Sequence, residues 1–311
     1  MRAGSARRLL EPNLEASKPE GGLLRRIFRL GGASPPEPAP RREGCVVAFA
    51  SGKGGTGKSF LASNVGVALH RLGRRVAIVD CDFGLANAHL LLGVNPRYTV
   101  QQLFDGAVSV AQALTPTEFG PGLLAGGSGV ASLAELEARH MQVLGRALGW
   151  LAACHDAVLL DCPAGLSPQA MTAVLCAQHA VVVTNPEIAA LTDAYALIKC
   201  LARQPARPTV HLVVNRVARP GLGPATFDRL ADVSRRFAGC EIRYLGEVPE
   251  DPAVGQRRLG QPPLTVSHPE CATSIAIERL VNCLDATTGG VMAQPIATGV
   301  EARMAAQLRR W

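Results

Sequence analysis

The chain predicts a doubly wound α/β fold, a mostly parallel sheet with helices on both faces. Three observations predict it. Short apolar runs rich in Val, Leu and Ala alternate with helical patterns from Cys45 to Leu284. Hydrophobic residues make up 48% of the chain but aromatics only 4%, which suits strands covered by helices on both sides. Acidic and amide residues stand directly after several of the apolar runs, and an open α/β sheet collects its ligand at the carboxyl ends of its strands.

The elements follow in order. A strand begins at Cys45 and enters a glycine-rich loop, and a helix over 58–72 carries Leu61, Val65, Val67 and Leu69. A strand over 75–79 leads into Asp80-Cys81-Asp82. Val100–Phe104 reads as helix, 122–125 as a short strand and 133–153 as a long helix. The strand over 157–160 ends at Asp161. Beyond it come a helix over 168–177, a strand over 180–183 and a helix over 189–201. A strand over 209–214 stops before Asn215, a helix covers 225–238, and a last strand over 241–245 precedes a helix over 272–284. No internal repeat and no second core are visible, so residues 45–286 read as one domain.

Its flanks differ in character. The net charge of +7 is concentrated there: residues 1–44 hold nine Lys/Arg against five Asp/Glu, and residues 287–311 three against one. A nearly neutral body argues against a broad nucleic-acid face. Residues 31–42 form a Pro/Gly-rich linker. Before it, Leu23, Leu24, Ile27, Phe28 and Leu30 alternate with Arg25, Arg26 and Arg29 as in a basic amphipathic helix, the form of a membrane-surface anchor. At the other end Val300, Met304, Leu308 and Trp311 recur at helical spacing beside Arg303, Arg309 and Arg310. Either segment is equally readable as a helix lying on the protein's own surface or as a loose arm. No apolar run reaches the ~20 residues of a membrane-spanning helix. The nine cysteines show no C-x-x-C pair, which points to a reducing, cytoplasmic compartment.

The stretch that organises the rest is Gly52-Lys53-Gly54-Gly55-Thr56-Gly57-Lys58-Ser59-Phe60. Its spacing is G-x-x-x-x-G-K-[ST], a phosphate-binding loop between a strand and a helix. The glycines let backbone N–H groups close on phosphate oxygens, and the helix N-terminus adds its positive dipole end. Lys58 is placed to neutralise phosphate charge, and the Ser59 hydroxyl to ligate Mg²⁺. Strand-terminal Asp80, Asp82 and Asp161 can hold that ion through water and position an attacking water. A strand-terminal Asp is also a common helix cap.

Lys53 adds a charge that a generic phosphate loop does not require. The string K-G-G-x-G-K-[ST] resembles the deviant Walker A loop of the MinD/ParA ATPase family. That resemblance implies bound ATP and Mg²⁺, a homodimer when ATP-bound, and Lys53 reaching the partner's nucleotide. Asp80-Cys81-Asp82-Phe83-Gly84-Leu85-Ala86-Asn87 resembles the family's switch I, with Asp82 activating water and Asp80 supporting the Mg²⁺ shell. Asp161-Cys162-Pro163-Ala164-Gly165 resembles switch II, with Cys162 where relatives carry Thr, and implies an amide near Gly165 that senses the γ-phosphate. Asn215 resembles the adenine-reading Asn, and Pro249-Glu250-Asp251 the wall of the base pocket.

Asn185-Pro186-Glu187 and Asp193-Ala194-Tyr195-Ala196-Leu197-Ile198-Lys199 resemble the FlhG (FleN/YlxH) branch, which regulates flagellar number and placement. It implies two partners, the signal-recognition-type GTPase FlhF and a flagellar transcription activator, and peripheral membrane residence through an amphipathic end. Residues 1–44 lack the D-Q-A-x-x-L-R element by which FlhG proteins stimulate FlhF. Within the family, a MinD-type division-site or pole-positioning ATPase would use the same chemistry. A ParA-type DNA-partitioning ATPase would need a basic face.

Overall fold

The computed structural model describes residues 44–83, 85–127, 137–258, 260–287 and 299–308. The linker, the amphipathic stretch before it and Arg309–Trp311 lie outside them. The elements in chain order are β1 (Cys45–Ala50), α1 (Lys58–Arg71), β2 (Val76–Asp80), α2 (Ala88–Leu91), α3 (Val100–Phe104), α4 (Val110–Ala113), β3 (Leu114–Pro116) and β4 (Gly122–Leu124). They continue as α5 (Ala138–Cys154), β5 (Ala157–Asp161), α6 (Pro168–Cys176), β6 (His179–Thr184), α7 (Ile188–Ala202), β7 (Thr209–Val217), α8 (Leu222–Val233) and β8 (Arg243–Pro249). After β8 come α9 (Pro252–Gly255), α10 (Leu264–Ser267), α11 (Ala272–Thr287) and α12 (Val300–Leu308).

One sheet runs β3-β4-β2-β5-β1-β6-β7-β8, parallel throughout except for β3 against β4. The predicted doubly wound α/β class is what forms. Along β1, Val46, Ala48 and Ala50 face one core while Val47 and Phe49 face the other, the period of two that a strand requires. The first core is closed by α5, α6 and α7, the second by α1 and α11. Because β1 is central and pairs with both β5 and β6, its carboxyl end brings the glycine loop between the ends of these neighbours.

Several boundaries depart from the sequence reading. Strand β2 includes Asp80, because its pairing with β5 continues to Asp161. Strand β8 starts later than 241 and continues to Pro249. Gly246, at φ 149°, takes up the register shift opposite Leu212 and Val213 that lets β8 stay paired with β7. Thus Pro249 ends the strand rather than following it. The helix over 225–238 starts at Leu222 and closes as a π-turn over Ser234–Ala238. The three-residue edge strand β3 carried no alternation long enough to read.

Residues 300–308 do form a helix, and two residues of its apolar side already have a partner. Val300 and Met304 are buried in the first core, Met304 Sδ lies 3.4 Å from Cys176 Sγ, and Arg303 donates to the Ala177 carbonyl at 3.0 Å. Gly145 of α5 makes the close approach feasible, since a Cβ there would stand 2.9 Å from Met304 Cγ. In this conformation α12 packs on the domain through Val300 and Met304, one of the readings that the amphipathic pattern left open. Met304→Ala should cost about 2–4 kcal/mol in denaturant unfolding, the range for a buried side chain that leaves a cavity. A loss below about 0.5 kcal/mol would show that α12 does not contribute to the native core.

Candidate nucleotide site

The cradle is built by the strand-loop-helix geometry at the end of β1. Gly57 caps α1 in the left-handed region at φ 93°, Gly55 has φ 77°, and no side chain caps the helix. The helix's first N–H groups are thereby left for an anion. Gly57 is doubly constrained, because a Cβ would fall 2.3 Å from Asn215 Nδ2. Gly52 is equally tight: a Cβ would meet the Asp193 carbonyl oxygen at 2.2 Å.

Lys58 is buried beneath the loop. Its Nζ donates to Asp161 Oδ1 at 2.5 Å and to Ser59 Oγ at 3.3 Å. Burial alone would pull its pKa down, but the charge and hydrogen bond of Asp161 outweigh this and hold it above its ordinary value. Asp161 is also buried, and its other oxygen, Oδ2, has no hydrogen-bond partner. A buried, unpaired carboxylate oxygen beside a Ser hydroxyl suits a hard cation that prefers oxygen ligands, so these residues fit Mg²⁺.

Asp80 lies beside Asp161 in the parallel register and is 0% exposed. Oδ1 accepts the Asp82 N–H at 3.1 Å, and Oδ2 those of Asn87 and Ala88 at 3.0 Å each. Through these three bonds Asp80 fixes the loop that carries Asp82. Burial, then the neighbouring Asp161 charge, raise its pKa from 3.8 to about 7. A carboxyl with a raised folded pKa favours the native state when protonated, so its contribution is lost as pH rises through about 7. Without nucleotide, raising the pH from 6.5 to 8 should lower stability by about 1 kcal/mol. Asp80→Asn should flatten that slope in urea unfolding, and an unchanged slope would assign it to other groups.

Asp82 is half-buried, and its pKa is raised by burial against the opposing charge of Lys58. Its charge is close enough to those of Lys58 and Asp161 to be felt by both, which places it beside the cradle. After β5, Cys162 is fully buried and its thiol is pushed well above its ordinary pKa by burial, so it packs rather than reacts. Pro163 and Ala164 follow it towards Gly165, whose N–H donates to the Ser51 carbonyl at 2.9 Å. In this conformation that amide is tied to the residue that follows β1.

Lys53 departs from the cradle. Its side chain is 43% exposed and pairs with Glu187 at 3.4 Å, at the start of α7. A cavity of about 730 Å³ adjoins Gly57, lined in part by Phe60, Asn215, Pro249, Glu250 and Asp251. Asn215 donates one Nδ2 hydrogen to the Thr56 carbonyl at 2.7 Å, which joins this cavity to the phosphate loop and leaves its second N–H and Oδ1 uncommitted by that bond. The next residue, Arg216, is held at φ 55°, a conformation unusual outside glycine. Asp251 lines the wall, but its carboxylate caps α9 at Ala253 and also accepts the Thr273 N–H. Those bonds keep its pKa below the usual carboxylate value. The structure brings Lys58, Ser59, Asp80, Asp82 and Asp161 together, and Asn215 with Pro249–Asp251 in the adjoining cavity. It also places Glu187, part of the Asn185-Pro186-Glu187 signature, against Lys53, and lines the cavity with Arg257, which no local pattern had marked.

Fold and site together define a phosphate-loop nucleotide hydrolase. The CobQ/CobB/MinD/ParA nucleotide binding domain matches residues 47–261, and the chain belongs to that family. It is a MinD/ParA-type ATPase. Antiactivator FleN of Pseudomonas aeruginosa is 30% identical over 240 residues, spanning 77% of this chain and 86% of FleN. The flagellum site-determining protein YlxH of Helicobacter pylori is 31% identical, over 65% of this chain and 68% of its own. The septum site-determining protein MinD of Pyrococcus horikoshii, solved with Mg-ADP, superposes with a TM-score of 0.68 at 29% identity. That match covers 80% of this chain and 99% of MinD.

Proposed function

We propose that this ATPase is a Mg-ATP-dependent dimerising switch that regulates flagellar number and placement. The observation that carries the switch is Lys53, a cation in the phosphate loop whose ammonium lies outside its own cradle. Its partner there is Glu187, also exposed, and an exposed pair of this kind holds by about 1 kcal/mol or less. Exchanging that contact for a triphosphate on a second copy is therefore favourable.

The chain's own residues then divide the work. Gly54, Gly55, Thr56 and Gly57 bind the phosphates through their backbone, and Lys58 neutralises them. Ser59 and Asp161 hold Mg²⁺, which supplies charge neutralisation and Lewis acidity when bound. Asp82 orients water and accepts its proton. Asn215 reads the base, and switch residues Asp161–Gly165 report the γ-phosphate by exchanging the Gly165–Ser51 bond. The likeness to FleN and YlxH supports the flagellar role, with FlhF and a flagellar transcription activator as partners. Membrane residence would require α12, or the basic stretch over 23–30, to turn its apolar side to lipid. No described helix is long and apolar enough to cross a membrane.

The similarity to MinD favours a second reading, a division-site ATPase with the same chemistry. Deleting the gene separates the two. Altered flagellar counts with normal septa support the first reading, and misplaced septa with normal flagella support the second. The switch itself is tested by size-exclusion chromatography: the wild type should elute as a dimer with a non-hydrolysable ATP analogue and as a monomer with ADP. Identical elution in both would sink the dimer switch.

A further inference from the structure

Asp82 is carried by a loop whose backbone is held on both sides of it. On one side Asp80 Oδ1 accepts the Asp82 N–H at 3.1 Å, and the Asp82 carbonyl accepts the Leu85 N–H at 3.3 Å. On the other, the partly buried Phe83 stands edge-on to Phe104 of α3, with ring centres 5.8 Å apart and planes at 72°. Phe104 in turn lies against the His140 ring of α5 at 5.2 Å, tilted by 36°. Both separations fall in the range of about 4.5–7 Å over which such rings attract one another. The wall behind Phe83 is firmly anchored. Val100 and Leu103 bury α3 in the first core, and Thr99 and Gln102 close a reciprocal cap at its start. The Val100 N–H donates to the Ala125 carbonyl at 2.9 Å, just past β4. His140 has its own tether, because its Nδ1 accepts the Glu137 N–H at 3.1 Å.

We propose that Phe104 is a positioning residue for ATP hydrolysis, holding the Phe83 ring and so fixing the direction of the Asp82 carboxylate. A side chain seated on a rigid element can hold a loop residue in the geometry that a reaction needs. The step it supports is sensitive to placement, since a shift of about 1 Å in such a group can slow a reaction about 10²-fold. The phosphate loop belongs to a separate segment, so binding of ATP does not depend on this contact. The inference rests on the reading of Asp82 as the residue that orients water, and it assigns the support of that residue to a side chain from another element.

The test measures single-turnover hydrolysis and equilibrium ATP binding for wild type, Asp82→Ala, three Phe104 variants and the double variant Phe104→Ala/Asp82→Ala. Phe104→Ala should hydrolyse at least about tenfold more slowly than wild type while its ATP affinity stays within about twofold. Phe104→Leu, which keeps apolar volume without a ring, should slow in the same direction, and Phe104→Tyr should recover most of the rate. In the Asp82→Ala background the Phe104→Ala change should have no further effect, because the group it directs is gone. A merely structural role would slow both backgrounds by the same factor. That result overturns the inference, as does a wild-type rate in Phe104→Ala or a loss of ATP affinity that matches the loss of rate. Should Phe104→Ala fail to fold, Phe104→Leu in the two backgrounds decides in the same way. Asp82→Ala that hydrolyses as fast as wild type would instead sink the reading of Asp82 itself.

Discussion

Lys58→Ala is expected to abolish ATP turnover and, separately, to destabilise the fold by about 3–5 kcal/mol. The first effect follows from removing the cation beneath the phosphate cradle, where transition-state charge is stabilised by groups already in place. A loss of at least about 10³ in rate is the scale for such a group. The second follows from what Lys58 leaves behind. Asp161 is buried beside Asp80, one of its oxygens is already unpaired, and Lys58 is the cation bonded to the other. Removing that cation strands a carboxylate in a low-dielectric interior. The double variant Lys58→Ala/Asp161→Asn should recover much of the lost stability without recovering turnover. Urea unfolding and a phosphate-release assay on the three variants measure the two effects independently. Stability of Lys58→Ala equal to wild type would mean that the ion pair is no support of the apo fold.

How much of this was legible in the sequence depends on how local each feature is. The cradle is one contiguous stretch whose glycines and cations have fixed offsets, so loop, strand and helix could be read together. Asp80 and Asp161 were readable as strand-terminal carboxylates because β2 and β5 are short apolar runs that stop at them. What the sequence did not carry is the division of labour among these groups. Whether Asp80 faces an ion or its own loop depends on where the N–H groups of Asn87 and Ala88 turn, which is set by the backbone of the loop. The contact of Glu187 with Lys53, and Arg257 altogether, escaped for a different reason: each comes from a separate crossover of the sheet, and no short-range period links them to residues 52–59. The last strand was misplaced because Gly246 reads as a break, although here it absorbs a bulge. The C-terminal amphipathic pattern gave the helix but not its contact, since an apolar stripe has the same appearance whether it meets lipid or a groove beside Gly145.

Asp82→Ala should separate binding from hydrolysis, with turnover falling about 10²–10³-fold while ATP affinity is retained. The loop around it has its own anchor. Asp80 takes the backbone N–H groups of Asp82, Asn87 and Ala88, so truncating the Asp82 carboxylate leaves those bonds in place. The variant should therefore unfold within about 0.5 kcal/mol of wild type, the usual range away from buried networks. With hydrolysis slowed and the triphosphate still bound, nothing reverses the Lys53 contact proposed across the dimer, and ATP itself should hold the variant as a dimer on size-exclusion chromatography. Wild type under the same conditions should return to monomer as ATP is consumed. The double variant Lys53→Ala/Asp82→Ala should stay monomeric with ATP bound, because the contact to the second copy is gone. If it dimerises as fully as Asp82→Ala, the subunits join without Lys53, and its pairing with Glu187 is only a surface ion pair.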